Sequence, residues 1–314
     1  MAEGSGTFNV ERGTKSQLMI KIEGTHVKMP LSMITGLADG PTVLITSGIH
    51  GSEYPGTLAA VELARELRPE DVSGRLLMIH PVNTQAFKAR FAMILPEDGR
   101  DINRVFPGRP DGSPSEKVAW RITEFQRMAD FYIDLHSGDV FEDMRAYVYY
   151  PGSGPEEVVE KSRRAAAVVN VPYMAPTTSE IGTIVSAAAA GIPGLFMERG
   201  GAGACPREEV DLYKRDILNV LKHLGLLKGA PEMPPVPPVE LGRLTYQESG
   251  ETGLWISEVE LDQKVESGQK LGEVQDFFGQ TLAAYHAEHD GVVLYKLRAL
   301  SANSGDVLVC YGRP

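Results

Sequence analysis

Alternation and helical periodicity take turns along this chain. Leu18-Met19-Ile20-Lys21-Ile22 and Val27 to Ile34 are β-prone runs on either side of Glu23-Gly24-Thr25-His26, which predicts a β-hairpin. Pro30 cannot donate to a ladder, so the second run is expected at a sheet edge. Thr42 to Thr46 is a short apolar strand that stops at Ser47-Gly48. Pro55 then opens a helix to Leu67, with Ala60, Leu63, Ala64 and Leu67 sharing one face. Arg75 to Ile79 reads as the next strand, and Asn83 to Pro114 as a long irregular stretch. Ser113-Pro114-Ser115-Glu116 is a capping box with proline at its first helical position. It starts a helix whose Val118, Ile122 and Phe125 share a face. Phe131 to Leu135 and Gly194 to Met197 are further buried strands. Glu156 to Val168 and Val210 to Leu227 are helices, the latter with Ile217, Leu221 and Leu224 on one side.

Strands alternating with helices predict an α/β fold with a mixed, mainly parallel sheet covered by helices on both faces. Ligands of such sheets bind beyond the carboxyl ends of the strands. The pattern changes at Glu232, where Glu232-Met233-Pro234-Pro235-Val236-Pro237-Pro238 reads as a stiff linker over residues 232–239. Short β-type runs and glycine turns follow. The expected organisation is a domain over 1–231, including the hairpin, and a small all-β domain over 240–314.

Composition adds exclusions. The chain has 314 residues, 42% hydrophobic and 23% charged, as an ordinary globular protein has. No apolar run reaches the ~18 residues of a membrane helix, and Met1 to Gly6 lacks the features of a secretory signal. Cys205 and Cys310 lie far apart, so a disulfide scaffold is not expected and a cytoplasmic location is the simplest reading. The net charge of -11, without a Lys/Arg block, argues against nucleic acid or an anionic membrane as a partner.

Three strand ends carry chemistry. His50 and Glu53 follow the first sheet strand, His136 follows Phe131 to Leu135, and Glu198 follows Gly194 to Met197. Two histidines and a glutamate, with water in the fourth position, form a catalytic zinc set. A zinc ion so held lowers the pKa of its water to about 7. A nearby carboxylate can take that proton and deliver it to a leaving amine; Glu198, between apolar Phe196-Met197 and Gly200-Gly201, is the candidate. Taken singly, each residue also has a plainer reading. His50 could be a polar turn residue, His136 a core histidine, and Glu198 an ion-pair partner of Arg199.

Asp101-Ile102-Asn103-Arg104-Val105-Phe106, taken with His50-Gly51-Ser52-Glu53 and Asp134-Leu135-His136, resembles the succinylglutamate desuccinylase/aspartoacylase family. These are zinc hydrolases related to the metallocarboxypeptidases. The family order is H-G-x-E, D-x-N-R-x-F, D-x-H and a glutamate before a glycine. All four occur here between Gly36 and Leu227, although Arg199 separates Glu198 from Gly200. The resemblance implies Zn2+ on His50, Glu53 and His136, and Glu198 as general acid/base. It implies Asn103 and Arg104 at the substrate, the guanidinium reading a carboxylate. It also implies a carbonyl-polarising arginine upstream of D-x-N-R, for which Arg90 is preferred over Arg100. Asp134 would orient a ligating histidine, and Asp101 would fix its loop by Asx-type bonding.

The implied activity is deacylation of a small N-acyl amino acid, N-acetyl or N-succinyl, by metal-activated water. Two alternatives stand beside it: a metallocarboxypeptidase acting on short peptides, and a metal-free binding protein of the same fold. Asp139 and Glu142 either line the pocket and meet a cationic group, in which case a diamino acid is a fair guess, or are solvated loop acids. His80 is expected to be structural, and Cys205 has no base beside it. The segments Val265 to Gly272, Asp290 to Val293 and Ser304 to Leu308 resemble a lipoyl/biotinyl-type β-sandwich without the carrier lysine. Such a module would narrow the cleft or build a homo-oligomer contact.

Overall fold

A computed structural model describes residues 11–314. The reading of Met1 to Gly6 lies outside the described residues. The strands are β1 Thr14–Lys21, β2 Lys28–Thr35, β3 Ala38–Ser47, β4 Ser73–Ile79, the two-residue pair β5 Ile94–Leu95 and β6 Arg100–Asp101, and β7 Phe131–His136. Then come β8 Glu142–Met144, β9 Tyr147–Pro151, β10 Tyr173–Thr177, β11 Gly194–Glu198 and β12 Val239–Glu240. The C-terminal strands are β13 Arg243–Glu248, β14 Gly253–Ser257, β15 Lys264–Val265, β16 Lys270–Gln275, β17 Thr281–His286, β18 Gly291–Leu297, β19 Ser301–Ala302 and β20 Val307–Arg313. Six α-helices are described: α1 Tyr54–Glu66, α2 Thr84–Ala89, α3 Pro114–Gln126, α4 Glu156–Ala166, α5 Thr183–Ala189 and α6 Arg207–His223.

The main sheet has nine strands in the order β1-β2-β4-β3-β7-β11-β9-β10-β12. Its central block β4-β3-β7-β11 is parallel. The apolar faces of α1, α4 and α6 cover one side, burying Leu63, Ala165, Tyr213 and Ile217. The opposite side carries α3 and α5, and its core continues into Leu244, Leu294 and Cys310 of the C-terminal strands. Those strands form two antiparallel sheets, β13-β20-β18-β15 and β17-β16-β14-β19, around Trp255, Leu271 and Leu308. β8 leaves the main unit to pair with β18, and β12, within the proline-rich segment, pairs with β10.

Three expectations need correction. β2 is interior rather than an edge strand, flanked by β1 and β4. Pro30 is tolerated because its pairing with β4 begins only at Leu31. Its carbonyl accepts from His80 N at 3.2 Å on that same side, so the missing N–H falls where the ladder has ended. The last helix runs Arg207–His223, starting and stopping earlier than its apolar periodicity suggests. Gly225 at φ +75° lets Leu226 N return to Leu221 O at 2.9 Å, a Schellman closure that releases Leu226 and Leu227 from the helix. The stretch after Asn83 is not wholly irregular: the Asn83 side chain accepts from Ala86 N at 3.0 Å and starts α2.

Candidate active site

The sheet reverses its direction of growth at β3. The chain goes from β3 to β4 on one side and later to β7 on the other, and a crevice opens there at the carboxyl ends. His50 and Glu53 lie in the loop leaving β3, His136 ends β7, and Glu198 ends β11 in register with His136. Gly48 at φ +63° makes the turn out of β3. At Gly51 a Cβ would come within 2.6 Å of Phe91 O, so only glycine allows this loop to press against the chain after α2. Glu53 is the residue from which α1 starts.

One ligand atom each of His50, Glu53 and His136 lie within 4.8 Å of one another, and all three residues are buried. His50 Nδ1 is 2.6 Å from Glu53 Oε1, and His136 Nδ1 is 2.9 Å from Glu53 Oε2. Each imidazole meets a second carboxylate at its other nitrogen: Asp101 Oδ1 lies 3.2 Å from His50 Nε2, and Asp134 Oδ2 lies 2.9 Å from His136 Nε2. With Nε2–H donated to an aspartate, a neutral imidazole turns its Nδ1 lone pair toward the Glu53 carboxylate. Such a meeting calls for a positive charge, a proton or a metal ion, and this N,N,O donor set with oriented histidines fits a zinc ion. The charges show the same demand. Burial lowers the pKa of His136, yet the charges of Asp134 and Glu53 outweigh it and push it up to about 10. Burial raises Glu53, yet the two imidazoles outweigh it and bring it to about 2.

Glu198 is 7% exposed, and its Oε2 has no hydrogen-bond partner. Burial drives its pKa well above the usual carboxylate range; His136 opposes this, while Glu53 and Glu142 add to it. Arg199 is not its ion-pair partner: that guanidinium turns to Asp216 Oδ2 at 2.6 Å and Asn170 O at 2.8 Å. Phe196 stacks on the His136 ring at 4.0 Å.

These residues open into a cavity of about 840 Å3 whose walls include Asn103, Arg104, Asp139, Glu142 and, from the C-terminal strands, Tyr246 and Asp306. Asn103 Oδ1 accepts from Thr183 N at 3.1 Å, which leaves its amide N–H2 as donor. Asp101 does bond Asn103 N at 2.7 Å, as the Asx-type expectation requires, besides holding His50. Arg100 is engaged by Ser113 Oγ at 3.2 Å and Glu116 at 3.4 Å. Arg90 is exposed, ends α2 at φ 56° and is not a wall residue of the cavity. His80 bonds Ser32 Oγ at 2.9 Å, away from the donor set.

A family profile, that of the succinylglutamate desuccinylase/aspartoacylase catalytic domain, matches residues 39–224. The chain belongs to the succinylglutamate desuccinylase/aspartoacylase family. The N-alpha-acetyl-L-2,4-diaminobutyric acid deacetylase of Halomonas elongata is 34% identical over 294 residues, which cover 90% of this chain and 84% of that relative. Among solved structures, the product-bound ectoine utilization protein EutE (DoeB) of Ruegeria pomeroyi aligns with a TM-score of 0.86 at 29% identity, covering 99% of this chain and 98% of that one. A succinylglutamate desuccinylase/aspartoacylase from Rhodobacter sphaeroides aligns at 0.85 and 27% identity, covering 98% of each chain. Family membership accounts for the order of the four motifs. It does not draw the eye to Tyr213, whose hydroxyl reaches both His136 O and Met197 O and so ties the ends of β7 and β11 to α6. Nothing in the local sequence marks this tyrosine.

Proposed function

We propose that this protein is a zinc-dependent amidohydrolase that removes a small acyl group from an N-acyl amino acid. The observation that carries the reading is the convergence of two imidazole Nδ1 atoms on one buried carboxylate, beside a second buried carboxylate with a free oxygen. His50, Glu53 and His136 would hold the ion, oriented by Asp101 and Asp134. When bound, zinc supplies a Lewis acid for the amide carbonyl and an acidified water as nucleophile. Glu198 takes the proton of the attacking water at its carboxylate and gives it to the departing amine nitrogen. A buried carboxyl with a raised pKa suits the second, acid half of that cycle. Arg104 and Asn103 bind the substrate carboxylate.

Arg90 is proposed to polarise the scissile carbonyl. Its side chain forms no hydrogen bond among the described residues, its backbone N–H going to Ala86 O, and it lies two residues from Ala92, whose carbonyl accepts from Gly51 N at 2.8 Å. Arg100, by contrast, is committed to α3. Arg90→Ala should therefore cut kcat/KM by well over tenfold, and Arg100→Ala should mainly loosen the loop; the reverse ranking would reassign the role.

The first substrate to try is the one named for the Halomonas elongata relative, Nα-acetyl-L-2,4-diaminobutyrate. A panel of N-acetyl and N-succinyl amino acids against dipeptides, run with zinc, tests the reading. Release of acetate or succinate supports it. Hydrolysis of dipeptides alone would make the protein a carboxypeptidase. We further propose that residues 240–314 are a module that narrows the cleft, favouring small substrates; Tyr246 and Asp306 in the cavity wall support this.

A further inference from the structure

The charge balance of the cavity singles out the turn after His136. Its walls carry six acids, Glu53, Asp139, Glu142, Glu198, Glu248 and Asp306, against one arginine, Arg104. A divalent cation on the histidine–glutamate set offsets only part of that excess. Asp139 and Glu142 form a built pair within it. Phe141 N donates to Asp139 Oδ1 at 2.7 Å, and Asp139 N donates to Glu142 Oε2 at 2.9 Å, so the loop backbone fixes both carboxyls. The loop is itself held: Gly203 N donates to Asp139 O at 3.0 Å, Ala202 N donates to Glu142 O at 2.8 Å, and Glu142 begins the β8 ladder with β18.

Asp139 is 2% exposed and Glu142 half-buried. Among the described residues, no lysine or arginine pairs with either. Buried carboxylates without a cationic partner are costly. The cost is visible at Glu142, which burial and the neighbouring Asp139 push up to about 7. A second, separate sign of missing donors is Glu198 Oε2, buried in the same cavity without a partner. The cavity thus has surplus acceptors, and Arg104 is the one lysine or arginine in its wall to set against them.

We propose that Asp139 and Glu142 form the subsite that binds a side-chain ammonium on the amine half of the substrate, which makes the enzyme selective for N-acyl diamino acids. The proposal rests on the deacylase reading above. The carboxylate of such a substrate goes to Arg104, its amide to the metal, and its free ammonium to the acid pair. The guanidinium and the acid pair together select a zwitterion over a simple N-acyl amino acid.

The test compares kcat/KM of the zinc-loaded enzyme for Nα-acetyl-L-2,4-diaminobutyrate and for Nα-acetyl-L-norvaline, its isostere with methyl in place of ammonium. The wild-type ratio is expected near 100 or above, on the order of what an unmet charge costs in a polar subsite. Glu142→Gln and Asp139→Asn should each lower that ratio by about tenfold, whatever happens to absolute turnover. A wild-type ratio within about threefold of unity overturns the proposal even if neither variant folds. So does a ratio left unchanged in a folded variant. If neither compound is hydrolysed, the failure lies with deacetylation as the reaction and not with the subsite. The subsite is then read by calorimetry on the wild-type protein: 2,4-diaminobutyrate should bind at least about tenfold tighter than norvaline, and equal binding rules the subsite out.

Discussion

Replacing Asp134 by asparagine should weaken zinc binding while leaving the fold in place. Asp134 is fully buried. Its Oδ2 accepts from His136 Nε2 at 2.9 Å and from Thr183 Oγ1 at 2.6 Å, and its Oδ1 accepts from Thr46 Oγ1 at 2.6 Å. An asparagine amide placed with its oxygen toward His136 and Thr183 turns its N–H2 to Thr46. The Thr46 hydroxyl can accept that bond and donate instead to the Tyr132 hydroxyl oxygen Oη, 2.6 Å away. The fold therefore loses about 1 kcal/mol, the net worth of a rearranged hydrogen bond. What cannot be rearranged is the negative charge that raises the basicity of His136 Nδ1. Loss of such an outer carboxylate costs about 10–100-fold in metal affinity, or roughly 1.4–2.8 kcal/mol. Competition with a zinc-binding dye measures the affinity, and thermal unfolding of the metal-free proteins measures the fold. A folded Asp134→Asn protein that binds zinc within twofold of wild type would refute the role given to Asp134.

Glu198→Gln keeps the volume and the zinc but removes the proton carrier, so kcat should fall by about 10²–10⁴; unchanged turnover with full metal loading sinks the assignment. Well away from the cavity, hydrogen bonds from Arg207 at 2.5 Å and Lys214 at 3.0 Å hold Glu62 at a pKa of about 2, below the ordinary 4.5. Because the folded value is depressed, this stabilisation is complete above pH ~4.5 and is lost as the pH falls toward ~2. Glu62→Gln should thus cost about 1 kcal/mol near pH 6, and its deficit should shrink as the pH is lowered to 3. A deficit that is constant with pH excludes the ion pairs as its cause.

Much of the site was legible because its residues sit at strand ends, where apolar runs stop abruptly. The runs Thr42 to Thr46, Phe131 to Leu135 and Gly194 to Met197 each end at a polar residue with chemistry to offer. They pack as adjacent strands β3, β7 and β11. The spacing within H-x-x-E and D-x-H then carried the proposed ligands, and the aspartate proposed to orient one of them, together. Tertiary placement was less legible. The second contact of Asp101, to His50, depends on how a loop of thirty-odd residues folds back, and no local pattern encodes it. Pro30 argued for an edge, yet the register of β2 and β4 places its missing donor beyond their ladder. β8 escaped notice because three partly buried residues, Glu142-Asp143-Met144, carry no strand pattern. They become a strand only by completing the sheet of another unit. That detour brings Glu142 to the cavity wall, so the acid pair could be named from sequence but not placed.

The most direct test of a metal-dependent deacylase is the release of acetate from Nα-acetyl-L-2,4-diaminobutyrate by the native protein, by the protein stripped with a chelator, and by the stripped protein titrated with zinc. Activity should vanish on stripping and return in proportion to zinc, saturating at one ion per donor set of His50, Glu53 and His136. Acetate release that survives complete removal of metal would contradict the proposed chemistry. So would a fully zinc-loaded protein that hydrolyses no N-acyl amino acid.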